Sequence, residues 1–126
     1  MFYCLVAGSR AFDDYNLLEK TLDKMLSNYT PDITIVSGGA KGADALAELY
    51  AHKKGYYTTI FYPEWNLLGK GAGYIRNRKM HEYISQFEHR GVVCFWDGKS
   101  KGTKQNFELA EEYNNQIRII RFKKGE

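Results

Sequence analysis

Five short apolar runs of strand length alternate along this chain with stretches whose apolar residues recur at helical spacing. That alternation restricts the fold more than any single motif. Phe2–Ala7 (FYCLVA) is apolar throughout, as a strand covered on both faces should be. Asp13 or Asp14 can cap a helix carrying Leu18, Leu22, Met25 and Tyr29, which Pro31 ends before a second strand, Ile33–Val36. Ala43, Leu46, Ala47, Tyr50 and Ala51 form the next helical stripe, with Gly55 as its stop and Tyr57–Tyr62 as strand three. A polar, glycine-rich segment (PEWNLLGKGAG) leads into a helix with Met80, Tyr83, Ile84 and Phe87 on one face. Val92–Trp96, a helix over Gln105–Tyr113 and Ile117–Phe122 complete the pattern.

Strands that alternate with helices imply parallel crossovers, because a right-handed return to a parallel neighbour needs the helix. The expected fold is therefore α/β, a Rossmann-like, doubly wound, mostly parallel five-stranded sheet flanked by about four helices, with residues 1–126 as one domain. Such sheets bind ligands beyond the carboxyl ends of their strands. The unusual residues of this sequence do follow strands: Gly8-Ser9-Arg10, then Gly38 to Gly42, Pro63-Glu64-Trp65, and Asp97 to Thr103. The opposite loops (SNYTPD, HKKGY) are ordinary turn chemistry.

Glycine lets backbone amides approach a ligand, and a helix N-terminus adds unpaired N–H groups and the positive end of a dipole. Gly38, Gly39, Ala40, Gly42 and Asp44 combine both features, so this loop is a candidate phosphate site. It is neither a Walker loop nor a dinucleotide GxGxxG, and a tight turn is its bland alternative. Asp44 can cap amides or contact a ligand hydroxyl. Arg76 and Asn77 share the sheet-facing side of their helix with Met80, and a guanidinium there requires an anion or a carboxylate. Asn106 likewise faces inward at a helix start; Gly102 and Thr103 precede it, Thr103 as cap or phosphate ligand. Trp65 can stack on a base or cover the core, and Lys70, Lys99 and Lys101 can add positive potential. Arg78 lies off the inner face and is expected in solvent.

The order GSR, SGGAKGAD, W…GKGAGYIRN..M and FWDGKSKGT resembles the YspA branch of the SLOG superfamily, from Gly8 to about Tyr113. That superfamily includes the LOG phosphoribohydrolases, the DNA-processing protein DprA and sensor domains for nucleotide-derived signals. The resemblance implies a nucleotide or nucleotide-sugar ligand lined by Gly8, Ser9, Arg10, Gly38, Gly39, Gly42, Asp44, Arg76, Asn77, Gly102 and Thr103. LOG enzymes use a glutamate in a PGGxGTxxE motif to cleave an N-glycosidic bond, and Asn106 falls at that glutamate's place. An amide cannot act as a carboxylate base. Glu64 and Asp97, each at a strand end, remain as candidate catalytic carboxylates, although Asp97-Gly98 is also a common turn pair.

The leading expectation is a domain that senses or captures a nucleotide-derived, ADP-ribose-like small molecule. The alternative is an N-glycosidic hydrolase or transferase of nucleotides or nucleosides. Single-stranded DNA binding ranks last: a net charge of +3 and no basic stripe make nucleic acid an unlikely partner. The tail RIIRFKK reads as a last strand with a solvated end. No apolar run reaches membrane-spanning length, and the apolar start lacks a signal peptide's pattern, so a cytoplasmic location is expected. Cys4 and Cys94 lie in separate apolar runs and should be buried thiols; His52, His81 and His89 form no metal pattern and should occupy surface or helix-face positions. No cofactor or metal is expected. Exposed aromatics permit a homo-oligomer without requiring one.

Overall fold

The protein is described by a computed structural model over residues 1–123. Lys124, at the end of the tail assigned to the last strand, and the final residues of the 1–126 span lie outside the described residues. The elements run β1 (Phe2–Gly8), α1 (Tyr15–Leu26), β2 (Ile33–Ser37), α2 (Ala43–Lys54), β3 (Tyr57–Ile60), the single turn α3 (Trp65–Leu68), a 3-10 turn (Gly69–Gly71), α4 (Ala72–Ser85), β4 (Arg90–Trp96), α5 (Lys101–Glu112) and β5 (Ile117–Arg121). Every strand pairing is parallel, in the order β3-β2-β1-β4-β5. The fold is α/β and Rossmann-like.

Two apolar layers sandwich the sheet. Leu18, Leu22 and Leu26 of α1 and Ala43, Ala47 and Tyr50 of α2 cover Cys4, Val6, Ile35, Val93 and Phe95. On the other face Met80 and Ile84 of α4 cover Leu5, Val36, Val92 and Cys94, with Phe107 of α5 against them. β1 and β2 are therefore buried on both sides, which explains their unbroken apolar sequence. Cys4 and Cys94 are buried free thiols, and burial pushes Cys4 up to about 12.

Some boundaries differ from the periodicity. Asp14 caps α1 by accepting from the Leu17 amide (3.0 Å), and Leu26 rather than Met25 or Tyr29 ends its buried stripe. α5 starts four positions before Gln105, because the Ser100 side chain caps it at the Thr103 amide. β3 stops at Ile60, and the polar, glycine-rich segment after it contains α3 and the 3-10 turn. Arg78, expected in solvent, is exposed but paired with Glu112.

Tyr50 is the largest wholly buried side chain, and its hydroxyl donates to Asp23 (2.8 Å), which Lys54 also contacts (3.2 Å). Tyr50→Phe is expected to lower stability by about 1–2 kcal/mol, the worth of a hydrogen bond to a charged acceptor. An unchanged melting temperature would show that Asp23 is satisfied without it.

Candidate functional site

The strand order reverses between β1 and β4, whose chains leave in opposite directions: β1 continues through α1 toward β2, β4 through α5 toward β5. At the carboxyl ends of these two strands lies a cavity of about 470 Å³. β1 contributes Gly8, Ser9 and Arg10; β4 contributes Asp97 and Ser100; α2 brings Ala40 and Asp44. The helices α4 and α5 close it with Arg76, Asn77, Gly102, Thr103 and Asn106, and Trp65 and Lys70 form the outer rim with Tyr74.

Six of the sequence-derived candidates do not line it: Gly38, Gly39, Gly42, Glu64, Lys99 and Lys101. The three glycines are instead occupied by protein. A Cβ on Gly38 would lie 2.6 Å from the Arg76 guanidinium and 2.9 Å from the Asp44 carboxylate. Gly39 (φ +70°) lies under the Tyr62 ring. Gly42 (φ +77°) receives the β1 loop, with Ser9 O at 2.3 Å from where its Cβ would stand. The loop amides are largely spoken for as well: Gly39 N–H donates to Ser37 Oγ, Ala40 N–H to Asp44 Oδ2 and Ala43 N–H to Ser9 O. Of the glycines that line the cavity, Gly102 at the start of α5 has a Cβ position open to space, with nothing within 4 Å. There a ligand can approach bare backbone.

Among the described residues Arg76 forms no direct ion pair and is held instead by hydrogen bonds. Its Nη1 donates to Gly38 O and its Nε to Asn77 Oδ1 (2.8 Å). Burial lowers its pKa against the raising influence of Asp44. Both Asn77 side-chain N–H groups are used, donating to Gln105 Oε1 (2.8 Å) and Gly102 O (3.3 Å). Asp44 is the carboxyl that burial perturbs most here, pushed up to about 6 by desolvation even though the Ala40 amide and Arg76 favour its charge. Arg10 and Lys70 supply further positive charge at the cavity wall. Ser9 is buried, and its hydroxyl has no hydrogen-bond partner of normal geometry.

The two proposed catalytic carboxylates sit apart. Asp97 lines the cavity, but its Oδ1 accepts from the Lys99 and Ser100 amides (2.8 Å each), which hold it below the usual range with a smaller contribution from the nearby Ser9 hydroxyl. Glu64 borders a different hollow, beyond Arg76, with Tyr62, Ile75 and Lys79.

Sequence reasoning missed Tyr74 and Ser100 on the wall, both inside quoted motifs, and did not reveal how deeply His81 is buried. Expected on a surface or helix face, His81 is wholly buried between Asn106 and Asn115. Its spacing, four after Asn77 and three before Ile84 on the inner face of α4, could have signalled this. Among the described residues no His, Cys, Asp or Glu group is placed to hold a metal ion, and no helix is long and apolar enough to cross a membrane.

A parallel sheet in this order, with a polar cavity at its reversal point, places the chain in the Rossmann-like α/β class. Within it, the chain belongs to the YspA, cpYpsA-related SLOG family, whose family model matches residues 3–67. It is similar to the Gene 61 protein of Mycobacterium phage D29, 32% identical over 125 residues and covering 94% of both chains. Among solved structures, its fold is similar to that of DNA processing protein A (DprA) from Streptococcus pneumoniae (TM-score 0.72, 22% identity). The match covers 100% of this chain but 52% of that one, so the chain spans about half the length of that protein. DprA from Helicobacter pylori matches at TM-score 0.69 and 22% identity, over 99% of this chain and 67% of that one. That structure concerns a single-stranded DNA binding mode.

This finding overturns the expectation that nucleic acid is an unlikely partner. The expectation rested on a mild total charge and the lack of a basic stripe in the sequence, whereas phosphate responds to local potential, which residues distant in sequence can create together. Arg10, Lys70 and Arg76 concentrate at one cavity while most carboxylates lie elsewhere.

Proposed function

We propose that the cavity binds a phosphorylated nucleoside unit and holds it rather than cutting it. The observation that carries this reading is the convergence of Arg10, Lys70 and Arg76 with the open backbone at Gly102 on a space of about 470 Å³. That size suits a small ligand. Holding rather than cleaving is supported by the carboxylates: Glu64 lies off the cavity, Asp97 is committed to a turn and Asn106 is an amide. Asp44, buried and accepting from Ala40, is suited to receiving a ligand hydroxyl.

Titration calorimetry with AMP, ADP-ribose and cyclic nucleotides tests the proposal. Arg10→Ala is expected to weaken binding about tenfold, a charge-assisted contact's worth, while leaving the melting temperature in place. No heat from any of these ligands would defeat the small-molecule form.

A second form has its own support: the same unit presented within a single strand. Trp65 and Tyr74 are exposed beside the cavity (47% and 46%), as stacking platforms for successive bases are, and DprA shares the fold. Fluorescence polarisation with a labelled oligothymidylate at low and moderate salt tests it. Affinity that falls with salt and drops in Trp65→Ala supports strand binding, whereas nucleotide heats with silent polarisation restrict the site to small ligands.

A further inference from the structure

The buried polar residues behind the cavity admit one assignment of donors and acceptors, and it runs in one direction. Arg90 can only donate, and its Nε contacts the Asn115 side-chain oxygen. The Asn115 nitrogen therefore faces His81, 3.1 Å from Nδ1, which must accept. The proton of neutral His81 is then on Nε2, which donates to Asn106 Oδ1 at 3.0 Å. At the far end Gly102 O can only accept, and Asn106 Nδ2 lies 3.4 Å from it. Both ends of the chain, a guanidinium and a carbonyl, independently demand the same amide orientations. Burial keeps His81 neutral, its pKa pushed down to about 4. Asn106 is 1% exposed and lines the cavity; its Oδ1 is turned toward His81, so the second N–H of Nδ2 is a donor it can offer a ligand.

We propose that the chain Arg90–Asn115–His81–Asn106 locks Asn106 as a hydrogen-bond donor to the cavity, where it selects a ligand bearing a phosphoryl oxygen beside Gly102. Asn115 and His81 are positioning residues: they act on the ligand through Asn106 and do not line the cavity. The inference rests on the nucleotide reading above and adds to it which atom class the α5 end of the cavity accepts.

Two measurements separate the inference from that reading. Nitrogen chemical shifts of histidine-labelled wild-type protein without ligand report the His81 tautomer at pH 7. The Nε2–H form is expected, with mixing in Asn115→Leu; an Nδ1–H or doubly protonated ring in the wild type overturns the chain. Calorimetry then compares AMP with adenosine on wild type and Asn106→Asp, a variant that keeps an acceptor for His81 and loses the donor. AMP affinity is expected to fall about tenfold or more in Asn106→Asp with adenosine little changed, the cost of facing a phosphoryl oxygen with a carboxylate. Equal AMP affinity in the two proteins overturns the donor role. A wild type that ignores AMP overturns both the nucleotide reading and the selection of phosphoryl, while the tautomer still decides the chain itself.

Discussion

Gly42→Ala is expected to destabilise the protein by at least ~3 kcal/mol, more than any side chain at the cavity should when truncated. Two costs add. At φ +77° and ψ −127° Gly42 occupies backbone space essentially restricted to glycine. Its Cβ would also stand 2.3 Å from Ser9 O and 2.6 Å from the Arg10 carbonyl carbon, backbone atoms that a rotamer change cannot move. Relief requires the β1 loop to lift from the start of α2, breaking the Ala43 N–H to Ser9 O bond (3.2 Å) and displacing the cavity residues Ser9 and Arg10. Denaturant unfolding should show the loss, and ligand binding should fail in whatever variant remains folded. A midpoint within experimental error of wild type would mean that the loop and helix are not pressed together as described.

The second large effect is a pH profile. Asp44 has a raised folded-state pKa, about 6 against an ordinary 3.8, so its contribution to stability is complete below about 3.8 and is lost as pH rises through 6. His81 has a depressed one, about 4 against 6.5, so its contribution is complete above 6.5 and is lost as pH falls through 4. Each shift corresponds to roughly 3 kcal/mol, and the two windows overlap with opposite sign. Wild-type stability should therefore be nearly flat, as far as these two groups set it, between about pH 4 and 6. Asp44→Asn removes one side of the balance, and its stability should fall on acidification, changing by about 3 kcal/mol relative to wild type across that window. His81→Gln should show the reverse slope. Parallel profiles for wild type and Asp44→Asn would show that Asp44 is an ordinary carboxylate.

The sheet, its parallel sense and the edge that carries the cavity were legible because they depend on local periodicity and on the rule that places ligands after strands. The site was legible to the level of loops rather than side chains. GSR, the Arg76–Asn77 pair, Thr103 and Asn106 do meet at one cavity, since helical spacing tells which residues face the sheet. The role of the SGGAKG glycines was not legible. A glycine that admits a ligand and one that admits a neighbouring loop look the same in a sequence, and only the packing against Arg76, Tyr62 and Ser9 tells them apart. The surroundings of Glu64 and His81 were not legible for a related reason. Glu64 follows a strand, yet the chain carries it to the far side of the Arg76 side chain. His81 depends on Asn115, 34 residues away, and no spacing rule connects the two.

The segment from Trp65 to Gly71 has a consequence for how the family can diversify. Neither α3 nor the 3-10 turn that follows contributes a buried residue, and Leu67 is 80% exposed, yet Trp65 and Lys70 stand at the cavity's rim. The inner wall is made of strand ends and helix starts, where a substitution is felt by the whole core. The rim is nearly uncoupled from it, and exchanges there carry little thermodynamic penalty. On the nucleotide reading, exchanges at the rim can thus change what covers or extends from a bound unit, while Arg10, Arg76 and Asn106 on the inner wall keep the unit itself in place.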